Sequence, residues 1–168
     1  MPGKMIETTV VRMRHVLMNV ALCLGMVISP LNVFSHCEIP CGIYDDAMRL
    51  AMIEEDIATV EKSMRQIVEL SGQKEKNLNQ IVRWVNNKEH HANRIQDTVC
   101  QYFMTQRVMP VDPKDARGCA DYVKKLTLLH EILVCAMKAK QSTDVEIVKK
   151  LRSLLESFRA AYPGAPAR

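Results

Sequence analysis

Apolar residues recur at intervals of three and four along most of this chain, and that period commits it to helices. Met48, Ala51, Ile53, Ile57, Val60, Met64, Ile67 and Leu70 form one stripe, which stops at Ser71-Gly72. A second runs through Leu78, Ile81, Val82, Val85, Ile95, Val99, Tyr102 and Phe103, and ends before Pro110 and Pro113. Val123, Leu126, Leu129, Leu133, Ala136 and Met137 make a third, closed by Gln141-Ser142. A Thr143-x-x-Glu146 capping box opens a fourth through Ile147, Leu151, Leu154, Leu155 and Phe158, which Pro163-Gly164 ends. Four helices with short connections predict an all-α fold, an antiparallel four-helix bundle over 46–163 with a loose tail at 164–168.

Composition removes the competing classes. With six glycines, three Phe, four Tyr and one Trp, the chain lacks the aromatic runs and glycine-rich turns of a sandwich or barrel. No G-x-G-x-x-G or G-x-x-x-x-G-K-[ST] loop occurs, which argues against a nucleotide-binding α/β domain. Helical bundles often hold di-iron centres, but those need Glu-x-x-His on one helix face, and no Glu here has His three residues later. The stripe positions of the bundle also carry no acid, so none is expected in the interior.

Residues 1–35 read as a leader. Lys4, Arg12 and Arg14 precede a run from Val16 to Ile28 in which Asn19 alone is clearly polar, Pro30 breaks that run, and Val33-Phe34-Ser35 offers small residues for a cut after Ser35. The other reading is a retained membrane anchor, against which the run falls short of the roughly 20 residues a bilayer span needs. Export to a periplasmic or extracellular location is the expectation, or a cytoplasmic one if the leader is a non-secretory propeptide. Removing three basic residues and Glu7 leaves 20 basic and 18 acidic residues, a net charge of +2. That charge is too mild to point to nucleic acid, and no stable membrane association is expected after processing.

The new N-terminus would then read His36-Cys37-Glu38-Ile39-Pro40-Cys41-Gly42-Ile43-Tyr44-Asp45. Cleavage gives His36 a free α-amine beside its imidazole. Cys37 offers a thiolate and, once deprotonated, a backbone amide nitrogen. Cys41 offers a second thiolate, and Pro40-Cys41-Gly42 can turn the chain back on itself. Two nitrogens and two sulfurs in one plane, with an imidazole above, suit Ni(II) or Cu(II), whereas structural zinc prefers a tetrahedron. The other reading of Cys37 and Cys41 is a disulfide in an exported protein.

The string H-C-x-x-P-C-G-x-Y-D behind a removable leader resembles the nickel hook of nickel-dependent superoxide dismutases. The resemblance covers ten residues in motif and the whole mature chain in architecture. It implies disproportionation of superoxide to oxygen and hydrogen peroxide, a nickel ion in each subunit cycling between Ni(III) and Ni(II), and a homohexamer. It makes His36, Cys37 and Cys41 the metal ligands, His36 through its axial imidazole as well, and places Tyr44 beside the open face of the metal. Glu38 stands where the family commonly has Asp. Met52 falls where the family's imidazole-holding acid is expected and Asn87 near its Arg, leaving Glu54, Glu55, Arg83 and Lys88 as substitutes. Tyr102 is either a second tyrosine near the site or an ordinary buried one. The rival class is a non-enzymatic exported bundle whose hook merely binds metal or closes a disulfide. Cys100, Cys119 and Cys135 show no C-x-x-C spacing and read as buried, inert thiols. His90 and His91 read as solvated residues near Glu89 and Arg94, His130 as structural, and the methionines as core filling.

Overall fold

The computed structural model describes Met18 and residues 42–164. The chain divides into two compact units, Met1–Cys37 and Glu38–Arg168, and exposed, helical Met18 is what is described of the first. In the second, four helices form where the sequence periodicity places them, each begun by a side chain that satisfies an otherwise orphaned backbone N–H. Asp45 caps α1 (Asp46–Ser71) through Met48 N at 2.8 Å, and Gly72 N–H closes it on the Val68 and Glu69 carbonyls. Asn77 caps α2 (Leu78–Asp97) and Asp115 caps α3 (Ala116–Gln141). The fourth cap differs from expectation. Asp144, not Thr143, begins α4 (Val145–Ala161), accepting from Glu146 N at 3.0 Å. A carboxylate one residue later is at least as good a cap, and it displaces the threonine box.

Between α2 and α3 the chain continues as a π-helical segment, Thr98–Arg107. Its wider turn is fixed by contacts five residues apart: Thr105 Oγ1 donates to Cys100 O at 2.7 Å, Gln106 Nε2 to Gln101 O at 2.9 Å, and Val108 N to Phe103 O at 2.8 Å. The expected second helix therefore ends in a different register.

Neighbouring helices run antiparallel. The start of α1 meets Arg107 and Tyr162, Lys88 Nζ of α2 donates to Lys140 O at the end of α3, and Cys135 of α3 meets Ile147 of α4. With α1 and α3 each packed on α2 and α4, the described residues close into a four-helix bundle without strands. Its core is Ile53, Ile57, Val60 and Met64 from α1, Ala92 and Ile95 from α2, Leu129, Ile132, Ala136 and Ala139 from α3, and Leu151, Leu155 and Phe158 from α4. Phe103 of the π segment inserts against Phe158 and Tyr162, with ring centroids at 5.1 and 5.7 Å.

Not every stripe residue is buried. Met48, Leu78, Val82, Val123 and Met137 are exposed, Leu78 at 66%, because each helix buries only the part of its stripe that faces another helix. The methionines divide likewise, Met64 in the core and Met48, Met109 and Met137 outside it. Cys135 is buried as expected, but Cys100 and Cys119 are half-buried, and all three are free.

One acid does lie in the interior, contrary to expectation. Asp56 is buried, with His91 Nδ1 at 2.6 Å and Arg94 Nε at 3.2 Å from its Oδ1. His91 is thus not a solvated residue; α2 turns it onto α1, where it meets one oxygen of a carboxylate that the sequence places on the same face as Ile53 and Val60, the other oxygen being buried without a partner.

Candidate metal centre

His36, Cys37 and Cys41 lie outside the described residues, as does the leader. As a donor set they fit nickel: an imidazole, an amide nitrogen and two soft thiolates, joined by an amine if His36 becomes the N-terminus, are what Ni(II) accepts and hard-oxygen cations do not. Among the described residues no group of three His, Cys, Asp or Glu side chains could hold a metal ion.

In the second unit the described residues begin at Gly42. Gly42 has φ +79°, a left-handed conformation that a side chain would strain, so this position calls for glycine. Two residues on, Tyr44 is seated against the bundle. Its ring meets Tyr102 edge-on, centroids 6.0 Å apart, and the Arg107 guanidinium lies 4.2 Å over it. Three residues of chain separate Cys41 from Tyr44, a reach of at most about 11 Å.

Asp46, the first residue of α1, gathers this end of the bundle. Its Oδ1 accepts from Arg107 Nε at 2.8 Å and Tyr102 Oη at 2.6 Å; its Oδ2 accepts from Arg107 Nη2 at 2.8 Å and Tyr162 Oη at 3.0 Å. Four donors on one carboxylate, two of them a bidentate guanidinium fork, fix its position. Three of the chain's four tyrosines meet here. The π register makes this possible. Tyr102 and Arg107 are five residues apart, which an α-helix would set about 140° apart around its axis. The five-residue hydrogen-bond spacing brings both to the same carboxylate.

Charge follows from this geometry. Burial pushes the Asp46 carboxyl up, but the hydrogen bonds from Arg107, Tyr102 and Tyr162 overcome it and hold the pKa at about 2. Burial and the bond to Asp46 raise the Tyr102 phenol well above its ordinary value, so it stays a donor. Arg107 is held protonated by Asp46. Arg49, one turn into α1, stacks on Tyr102 with its guanidinium carbon 5.1 Å from the ring centroid.

Of the substitutes the sequence offered for the imidazole-holding pair, Glu54 and Lys88 have other partners in the bundle. Glu54 faces Arg152 at 3.3 Å, Lys88 is buried against the Lys140 and Ser142 carbonyls, and Asn87 Nδ2 donates to Ser63 Oγ. Glu55 is exposed, Arg83 lines a groove with Trp84, and Met52 receives Arg49 Nη1 at 4.0 Å. Tyr102 belongs to the cluster rather than to an unrelated core position. Sequence reading missed Asp46, Arg107, Tyr162 and Arg49. The acidic pair Asp45-Asp46 beside Tyr44 was the one local signal.

Asp46→Asn keeps the shape and removes the charge, leaving Arg107 without its carboxylate. We expect a loss of about 2–3 kcal/mol at neutral pH. A carboxyl held at about 2 contributes stability above its unfolded value and loses it as pH falls. The gap between wild type and variant should therefore roughly halve near pH 3. Urea unfolding at pH 7 and pH 3 measures it, and a gap independent of pH would refute the charge assignment.

A family model described as nickel-containing superoxide dismutase matches residues 31–165. No curated protein and no solved structure matches the chain.

Proposed function

The chain belongs to the nickel-containing superoxide dismutase family, and from that premise we propose that His36, Cys37 and Cys41 hold its nickel at an N-terminus created by cleavage after Ser35. It is an oxidoreductase with a nickel cofactor: two superoxide ions and two protons become one oxygen and one hydrogen peroxide. The observation that carries the ligand assignment is the string His36 to Asp45, which lies inside the matched stretch and supplies both thiolates and the imidazole at fixed spacing. When bound, nickel would supply a one-electron Ni(III)/Ni(II) couple.

The protein's own groups do the rest. The α-amine and imidazole of His36, the amide and thiolate of Cys37 and the Cys41 thiolate form the donor set, and the thiolates favour the higher oxidation state. Tyr44, its ring held by Tyr102 and Arg107, would stand beside the bound metal and restrict access to small anions. Asp46 fixes both of those partners and so sets where the phenol points. The mature chain is exported and assembles as a homohexamer, in which a neighbouring subunit covers a hook with few apolar anchors of its own. Among the described residues no helix is long and apolar enough to cross a membrane.

The test is a chain that begins at His36. It should bind one nickel per subunit, consume superoxide catalytically and scatter light as six subunits. A nickel-free, inactive mature chain, or one that closes a Cys37–Cys41 disulfide instead, would favour the non-enzymatic bundle and remove the ligand assignment.

A further inference from the structure

Among the described residues, one cation beside Tyr102 makes no ion pair. Arg107 is neutralised by Asp46, all four of whose contacts are filled. Arg159, the next guanidinium along, pairs with Glu156 at 2.6 Å and donates to Leu50 O. Arg49 differs from both. Among the described residues it has no salt bridge; its guanidinium lies over the Tyr102 ring, and its one polar contact is a long one to the Met52 sulfur. Its Nε–H is buried without a hydrogen-bond partner. A buried donor left unmet is costly, and such a cost recurs where a ligand supplies the missing acceptor. Of the two acids one turn before it, Asp45 is exposed and serves as the N-cap through Met48 N, and Asp46 is bound to Arg107.

We propose that Arg49 is the anion-guiding residue of this dismutase: an uncompensated guanidinium, held by stacking on Tyr102, that draws superoxide and other small anions toward the metal beside Tyr44. The proposal rests on the nickel assignment to the hook. Stacking explains how the charge is held without a carboxylate: the ring face attracts the cation, while a salt bridge would cancel the field that an anion follows. Asp46 contributes by pairing with Arg107 and locking Tyr102, which leaves Arg49 as the guanidinium of this cluster without an ion pair among the described residues. Charge placed this way raises association rates about 10- to 1,000-fold across a whole site and does so in a salt-dependent manner.

The experiment uses the nickel-loaded mature chain as wild type, Arg49→Gln and Arg49→Lys. Nickel content, kcat/KM for superoxide over a range of ionic strength, and the dissociation constant of azide, titrated by nickel absorption, are measured for each. Arg49→Gln should keep its nickel, lose about tenfold in kcat/KM at low ionic strength and flatten the salt dependence. Azide should bind about tenfold more weakly to it, and Arg49→Lys should restore most of both. A merely structural arginine would change nickel content or stability and leave the salt slope and azide affinity alone, which overturns the proposal. If Arg49→Gln fails to fold or load, Arg49→Lys decides: wild-type salt slope and azide affinity support a charge role, and their loss refutes it. A wild-type chain without nickel or activity overturns the hook assignment and this proposal together, whereas an active wild type with an unaltered Arg49→Gln overturns this proposal alone.

Discussion

Cys37→Ser and Cys41→Ser are each expected to lower superoxide dismutation by more than about a hundredfold, a loss that even an outer partner of a metal ligand can produce. Serine replaces a soft anionic donor with a hard, neutral hydroxyl of nearly the same size. Without the thiolate, the higher nickel oxidation state is no longer stabilised and the one-electron cycle fails. The helices should be untouched. The described core draws its buried side chains from Ile53 to Tyr162, and Cys37 and Cys41, outside the described residues, are not among them; of the hook's described residues, Tyr44 packs against that core only partly buried. Circular dichroism and thermal unfolding of the two variants should therefore match wild type, while metal analysis shows the nickel reduced or absent. Near-wild-type turnover in either variant would remove that cysteine from the ligand set.

An uncleaved chain should be as inactive as the cysteine variants, for a different reason. While Ser35 precedes His36, the nitrogen that would be an amine ligand is a peptide amide, a much poorer donor that loses its proton only at high cost. A chain made resistant to cleavage, or one extended by a single alanine before His36, should carry little nickel and show activity near the assay background. The protein that begins at His36 should carry one nickel per subunit. The comparison separates the amine from the thiolates, since all three versions keep Cys37 and Cys41. Full activity in the extended chain would mean that the His36 α-amine is not a ligand. The N-terminal residue of the purified active protein checks the cut itself.

Much of this was legible in the chain because it is local. A helix is encoded by neighbours three and four residues apart, so the stripes of Met48–Leu70 and Ile147–Phe158 forecast α1 and α4 almost to the residue. The hook is more local still: its donors fall within His36–Cys41, and their chemistry needs no fold to be recognised. The errors were of two kinds. Some were near misses in local competition, such as Asp144 displacing Thr143 as the cap. Others concerned burial: periodicity marked Leu78 and Val123 as apolar-face residues but did not say how far the partner helix extends.

What the sequence determined, then, was the helical class, the positions of the four helices and the set of atoms offered to a metal. The tertiary structure decided which groups surround Tyr44. Asp46 meets Tyr102, Arg107 and Tyr162 across 56, 61 and 116 residues of chain, and Asp56 meets His91 across 35. No pattern within one helix specifies such partners. They come together because antiparallel packing brings the start of α1 beside the ends of the π segment and α4, and because the five-residue register turns Tyr102 and Arg107 to one side. A carboxylate taken from water at that junction must find donors there, and only the packed bundle determines which side chains supply them.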